Sequence, residues 1–406
     1  MSETLHSDVV ILGAGLVGCA LAVALARGGV TSIVIDPADP AAIRDARFDG
    51  RASAVSSTSW RMLEAIGVAP RIEGETNPIE RIEVGDNGAR GLLAFAPDLA
   101  ADGPLGMMLE NRHLRVGLRE AAAEAEGVTL LMPARAARIE RDEAGVRVAL
   151  EDGRTVRAAL LIGAEGRRSP TRESAGIAVA RWEYRHRAII GMLDHEADHG
   201  NVAHELFYPA GPFALLPMKG GHRSALVWTV AERDAEAMLS LSPRAFVAEA
   251  AKRMGGLYGA LSSASPLSSY PLGFHHAARI AADRLALVGD AAHGIHPIAG
   301  QGLNLGFRDA AALAEVLIEG ARLGLDPGDA QLLARYERWR GLDTFMVAAA
   351  TDGLTRLFGV PGRAAHRVRS LGIGLVNRIP PLKDFFMAEA RGESGNLPKL
   401  LTGEMV

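Results

Sequence analysis

Residues 8–36 spell out a complete strand–turn–helix–strand unit, and few features restrict a chain's fold more. Asp8-Val9-Val10-Ile11-Leu12 is a short, nearly all-apolar run that reads as a buried strand. Gly13, Gly15 and Gly18 follow as GxGxxG, with Leu16 and Val17 between them. The first glycine permits a tight turn, the second lets backbone approach a pyrophosphate, and the third lets helix close on strand. Small and apolar residues from Cys19 to Arg27 predict a helix that Gly28-Gly29 stops. Ser32-Ile33-Val34-Ile35 is a second strand, and Asp36 ends it at the distance from the glycines that a ribose-binding acid needs. Strand, glycines, helix, strand and acid in that order predict a Rossmann-like unit holding a dinucleotide. Cys19 reads as a small packing residue in its helix.

The fingerprint alone does not separate NAD from FAD. A second unit, far along the chain, does. Leu285-Ala286-Leu287-Val288 is strand-like and delivers Asp290, followed by a Gly- and Pro-rich loop and a helix-forming segment. A carboxylate at the carboxyl end of a strand stands where open α/β sheets bind ligands. Asp290 suits the ribityl hydroxyls of a flavin. Pro297 stiffens the loop, and Gly300, Gly302 and Gly306 allow close backbone approach. A helix beginning near Gly302 would point its positive end at the N1–C2 edge that becomes anionic in reduced flavin. Gln301, Leu303 and Asn304 complete that segment. Both units together point to FAD.

The rest of the chain narrows the class. Its 406 residues leave room for two or three domains, and 46 glycines with a 48% hydrophobic fraction suit an α/β protein. A net charge of −4 gives no electrostatic footprint for nucleic acid. One cysteine excludes an internal disulfide, a CxxC redox pair and a cysteine-based zinc site. The start, MSETLHSD, lacks a signal peptide's basic and apolar regions, and no long apolar run predicts a membrane span. The expectation is a cytoplasmic protein.

Three segments, GAGLVG, GAEGRRS and GDAAHGIHPIAGQGLNLG, resemble the group A flavin monooxygenases of the para-hydroxybenzoate hydroxylase type. The stretch HPIAGQGLNLGFRD resembles more narrowly the ubiquinone-biosynthesis hydroxylases, which act on polyprenylated phenols. That resemblance implies that Gly13, Gly15, Gly18 and Asp36 hold the ADP half. It implies that Arg51 and Arg112 contact FAD, and that Asp290 with Gly300, Gln301 and Gly302 holds the ribityl chain and ring. Read without it, Arg51 and Arg112 are surface ion-pair residues. The activity it implies is aromatic hydroxylation of a prenylated phenol or quinol by dioxygen, through a flavin 4a-hydroperoxide. No residue is nominated as catalytic base. Glu165-Gly166 departs from the family's usual Asp-Gly at a place tied to pyrophosphate. The electron donor therefore stays open between NAD(P)H and a ferredoxin-type carrier. Rival readings are a FAD monooxygenase of a small soluble aromatic acid, anchored by a cation such as Arg223, and a FAD-binding scaffold of weak activity. Other ubiquinone-biosynthesis enzymes are further expected partners.

The expected fold is α/β: a Rossmann-like FAD-binding domain with an interleaved mixed β-sheet substrate domain and a helical C-terminal tail. The FAD-binding domain is assigned residues 1–75, 98–178 and 273–340. The substrate sheet is assigned 76–97 and 179–272, and the tail 341–406. Residues 81–95 read as a hairpin about Asn87-Gly88, and strands near 128–132, 146–150 and 156–162 return to the FAD-binding domain. A dry, apolar pocket is expected, with Leu206, Phe213 and Leu215 as candidate lining residues, although half of any strand faces away. Between Leu354 and Lys383 the tail carries Arg356, Arg363, Arg367, Arg369, Arg378 and Lys383 and no acid. Such a surface either rests peripherally on anionic lipid at the inner membrane face or packs on the core. His195-Glu196-Ala197-Asp198-His199 matches HExxH, but strand-like flanks and bracketing glycines leave no helix to place both histidines on one face. It is read as a loop, and no metal is expected. His293 and His296 are read as shaping the flavin loop.

Overall fold

The computed structural model describes residues 3–41, 51–86, 89–208, 211–294, 301–341 and 380–406. Its organising layer is a sheet of six strands with Val9–Leu12 inside it, parallel to Ser32–Ile35 on one side and Leu160–Gly163 on the other. Val128–Leu131 extends the first side; Leu285–Leu287 lies parallel beyond Leu160–Gly163. The distant strand that leads to Asp290 is thus two strands from the glycine fingerprint. These short strands are fully buried, as their unbroken apolar runs require.

Helices Leu16–Arg27 and Gln301–Arg322 pack against each other beside the sheet. Small residues permit that approach. A Cβ on Gly306 would lie 2.6 Å from Val17 Cγ2, and one on Gly28 would lie 2.4 Å from Ile318 Cδ1. Cys19 is fully buried at the start of the first helix, and burial pushes its thiol up to about 12, which suits a packing role.

One sequence expectation changes. The single strand over 156–162 is two strands. Thr155–Ala158 belongs to a four-stranded sheet with Thr4–His6, Gly145–Leu150 and Ala136–Asp142. Leu160–Gly163 belongs to the six-stranded sheet, and the chain crosses at Ala159, whose N–H donates to Asp8 O. An apolar run shows burial but not the partner that buries it. The hairpin over 81–95 is present as Arg81–Asp86 and Ala89–Phe95, with its turn at 87–88 outside the described residues.

A nine-stranded sheet carries that hairpin together with Val202–Tyr208, Gly211–Pro217, Arg223–Ala231, Val179–His195, Ser268–Ala277 and shorter strands. One face, with Leu206, Phe213, Leu215, Leu226 and Trp228, is covered by helix Pro243–Met254 through Phe246, Ala250 and Met254. The other face, with Ala203, Phe207, Leu216, Ala225 and Met192, meets Ile79 and Met108 of a small three-stranded sheet, and Leu105 just before it, and that sheet abuts the nucleotide unit.

The chain's end returns to the core. Leu400 and Leu401 are buried there, Lys399 pairs with Glu319 at 2.8 Å, and Trp339 Nε1 donates to Asn396 O at 2.8 Å. Helix Pro380–Arg391 sets Phe386 and Met387 against the second face of the large sheet. Arg356 to Arg378, the basic stretch of the tail, lies outside the described residues, as do Pro297 and Gly300. Among the described residues no helix is long and apolar enough to cross a membrane.

Candidate active site

The glycine loop is built for an anion. Gly13 takes φ +106, and a Cβ there would lie 2.5 Å from Ala164 O. A Cβ on Gly18 would lie 2.0 Å from Gly13 O, so both glycines are required by neighbouring backbone. Gly15 differs: nothing lies within 4 Å of its added Cβ. It is the N-cap of helix Leu16–Arg27, and no side chain caps that terminus. Open space in front of uncapped N–H groups fits a pyrophosphate.

Asp36 fastens this loop. One carboxylate oxygen accepts from Ala14 N at 2.7 Å and the other from Ala38 N at 2.8 Å. An ionised carboxylate has about four acceptor sites, so lone pairs remain for a ribose hydroxyl. Arg119, which the sequence reading missed, donates from Nε to Ala14 O at 3.1 Å. Its Nη1 is buried with no hydrogen-bond partner among the described residues, beside the same loop. Only the tertiary fold brings that arginine to the fingerprint.

Asp290 lies at the far end of the cleft. Its side chain is exposed, yet crowding protein raises its carboxyl above the usual range, partly offset by His293, Arg167 and Arg51. A group that solvent reaches while protein surrounds it stands in a recess. Arg51 and Arg112 come together here, since Ala52–Ser56 pairs with Gly106–Glu110 and Asn111 N donates to Arg51 O at 3.1 Å. Arg112 Nε donates to Glu110 at 2.5 Å. Arg167, also missed, donates to Gly273 O at 2.8 Å.

Val17 joins the two ends. A Cβ on Gly289 would lie 3.2 Å from Val17 Cγ2, on the side chain that Gly306 also meets. Gly302 opens onto free space at the start of its helix, with Gln301 before it and Leu303 half-buried after it. Asn304 ties this helix to the arginine strand: its amide oxygen accepts from Ser56 N and its nitrogen donates to Ala54 O, both at 2.9 Å.

A buried clasp holds the Asp290 turn. Asp309 accepts from Gly289 N at 2.9 Å, His293 Nε2 at 2.5 Å and Arg340 Nε at 2.7 Å. Burial alone would raise Asp309; His293 and Arg340 outweigh it and hold the carboxyl below its usual range. His275 Nε2 donates to Asp290 O at 2.8 Å, and burial pushes that imidazole down to about 4. His293 is thus tied into the Asp290 turn, while His296 lies outside the described residues.

Glu165 faces inward. Its carboxylate accepts from Ser169 Oγ at 2.5 Å and Thr171 Oγ1 at 2.6 Å, at the start of helix Pro170–Ser174. Burial raises it and these bonds counter the rise. The extra methylene lets the acid reach Ser169 and Thr171, and Gly166 beside it takes φ +79 in open space.

The pocket candidates need correction. Leu206, Phe213 and Leu215 face helix Pro243–Met254, away from the nucleotide unit. Alternation puts Phe207, Ala214 and Leu216 on the face toward the cleft. Sequence periodicity defined two faces without showing which one the other domain covers. The HExxH match is no metal site: His195 ends a strand and its ring bonds Ser224 Oγ and Ala197 O, while His199 bonds Met218 O. Among the described residues no cluster of three metal-ligating side chains occurs.

The sequence profile of the FAD binding domain family matches residues 6–344. The chain is 47% identical over 386 residues to ubiquinone hydroxylase UbiL of Rhodospirillum rubrum, covering 95% of this chain and 90% of that one. It is 33% identical to the 3-demethoxyubiquinol 3-hydroxylase of Escherichia coli, covering 93% and 96%. Among solved structures, P. aeruginosa PqsL in complex with 2-aminobenzoylacetate superposes with a TM-score of 0.77 at 25% identity, covering 91% of this chain and 99% of that one. The p-nitrophenol 4-monooxygenase PnpA of Pseudomonas putida shares the fold at a TM-score of 0.79 and 18% identity, covering 97% and 100%.

Proposed function

Because the chain belongs to the FAD-binding monooxygenases, among the ubiquinone-biosynthesis hydroxylases, we propose that it inserts one oxygen atom from dioxygen into the ring of a prenylated phenol or quinol. The observation that carries this reading is that Val17 of the glycine loop packs against both Gly289 and Gly306, which sets the loop beside the Asp290 turn. FAD, when bound and reduced, activates dioxygen and supplies the electrophilic oxygen.

The protein's residues divide the work. Gly13, Gly15, Gly18 and Asp36, with Leu16, Val17 and Arg119, hold the ADP half. Arg51, Arg112 and Asp290, with Pro297, Gly300, Gln301, Gly302, Leu303 and Asn304, hold the ribityl chain and ring. Glu165 and Gly166 set the backbone beside the glycine loop. The apolar face with Ala203, Phe207, Ala214 and Leu216 orients the ring and excludes water, which favours oxygen transfer over release of hydrogen peroxide. A small aromatic acid fits this face poorly. The three central rows of the sheet toward the cleft carry Glu205 and Asp86 and no cation, and Arg223 is engaged at 2.6 Å by Asp194.

The electron donor, NAD(P)H or a ferredoxin-type carrier, and a peripheral contact of the basic tail with anionic lipid belong to the same reading. Photoreduced holoenzyme mixed with oxygen and 2-geranylphenol should yield a product one oxygen atom heavier, read by mass spectrometry. Quantitative hydrogen peroxide with unaltered phenol, across a panel of prenylated phenols, would overturn it.

A further inference from the structure

Among the described residues, one carboxylate on the pocket wall has nothing to hold it. Glu205 lies in strand Val202–Tyr208, whose side chains alternate between two faces. His204, Leu206 and Tyr208 turn toward the helix-covered side; Ala203 and Phe207 turn toward the cleft, and Glu205 lies between them. Its register neighbours are Val84 and Ala214, and the same row continues through Val227 to Ile190. The flanking row carries Ile82, Ala203, Leu216, Ala225 and Met192. The wall around Glu205 is therefore apolar.

Among the described residues the Glu205 side chain has neither a hydrogen bond nor an ion pair. The residue as a whole is half-buried. A partnerless carboxyl in an apolar wall weakens folding. Asp309, a buried acid on the cofactor side, has three donors. An acid that contributes nothing to the packing and opens onto the cleft is placed for something that enters the cleft.

We propose that Glu205 receives the ring hydroxyl of the substrate and takes its proton. This rests on the hydroxylase reading above. In the step, the phenolic O–H bond breaks and an O–H bond forms on the Glu205 carboxylate. The electron pair stays on the substrate oxygen and spreads into the ring, which makes the carbon under attack more nucleophilic. The proton returns to that oxygen as the product leaves. Burial, with no charged neighbour acting on it, pushes Glu205 up to about 7. That poises it near neutral pH, where a general base is most effective. The nearest other titratable groups on this face are Asp86, in register with Phe207, and Tyr270, in register with Ala188.

The test uses FAD-loaded holoenzyme and two probes, 2-geranylphenol and its methyl ether. Affinity is read from perturbation of the flavin absorbance, and turnover from product mass. Glu205→Gln should keep FAD and melt no lower than the parent. It should lose about 10²-fold or more in kcat with a smaller change in KM, and the limb of the kcat profile near pH 7 should vanish. Glu205→Asp should recover part of the rate. The parent should prefer the phenol to the ether at least tenfold, and Glu205→Gln should abolish that preference. An unchanged preference together with an unchanged pH profile would overturn the assignment. If the parent hydroxylates neither probe but shows the preference and Glu205→Gln abolishes it, the hydroxylase reading fails while Glu205 as the hydroxyl acceptor stands.

Discussion

The cofactor recess and the substrate wall each enclose an acid, and they treat it in opposite ways. Asp309 is completely buried and takes hydrogen bonds from a backbone N–H, an imidazole and a guanidinium. Glu205 has neither a hydrogen bond nor an ion pair among the described residues, and its register neighbours are Val84 and Ala214. The first arrangement stabilises a backbone turn, the second leaves a reactive group unpaired. A satisfied buried charge therefore marks architecture here, and an unsatisfied one facing a cavity marks chemistry.

The largest effect should come from breaking the satisfied side. Asp309→Asn leaves Arg340 buried beside a neutral amide and removes the charge that holds His293. Loss of one partner from a buried pair costs about 3–5 kcal/mol, so thermal unfolding should shift down by many degrees and FAD should be lost. Glu205→Gln should leave the melting temperature unchanged or raised. Equal destabilisation by the two substitutions would erase the contrast.

Asp290 tests the recess itself. Its exposed carboxyl faces the space assigned to the ribityl chain, so Asp290→Ala should fold normally and hold FAD weakly. A charge-assisted hydrogen bond contributes about 1.5–3 kcal/mol, which corresponds to roughly ten- to a hundredfold in affinity. Equilibrium dialysis of the flavin checks this, and full retention would remove Asp290 from the site.

The third test is acidification. His275 donates its Nε2 proton to Asp290 O, while its Nδ1 is buried without a partner among the described residues. A second proton would sit on that nitrogen, which is why burial holds the imidazole down at about 4. The unfolded chain takes up this proton near pH 6.5 and the folded one does not. Stability should therefore be full above about 6.5 and fall as pH drops toward 4, by about 3 kcal/mol. His275→Gln should flatten that limb in denaturant titrations across the range. Gly294 belongs to the same device, since a Cβ there would lie 2.2 Å from the His275 ring.

Much of the cofactor side was legible in the sequence because its signals are local. Gly13 to Asp36 and Leu285 to Asn304 are contiguous runs in which glycine positions, strand ends and helix starts dictate one another. What escaped came from distance along the chain. Arg119 and Arg167 reach the recess from other elements, and Glu165 turned inward because Ser169 and Thr171 lie within reach. On the substrate wall the alternation of 202–208 was visible, but its parity was set by which face helix Pro243–Met254 covers. That choice placed Leu206, Phe213 and Leu215 on the wrong side and left Glu205 unnoticed. The split at Ala159 was hidden for a similar reason: Thr155–Ala158 and Leu160–Gly163 look alike in composition, yet different sheets bury them.

The smallest expected effect separates two glycines of one fingerprint. Gly18 is required by the fold, because an added methyl would lie 2.0 Å from Gly13 O. Gly15 is not, because its added methyl would enter empty space at the uncapped start of helix Leu16–Arg27. Its backbone is extended, at φ −74, so alanine is tolerated without strain. Gly15→Ala should keep the parent's folding stability within about 0.5 kcal/mol, as substitutions away from the core do. The methyl would stand where backbone must approach the pyrophosphate, and FAD affinity should fall about tenfold. Gly18→Ala should lose stability and FAD together. If Gly15→Ala binds FAD as tightly as the parent, the space in front of that helix is not where the pyrophosphate sits, and the ADP half must be held elsewhere along the cleft.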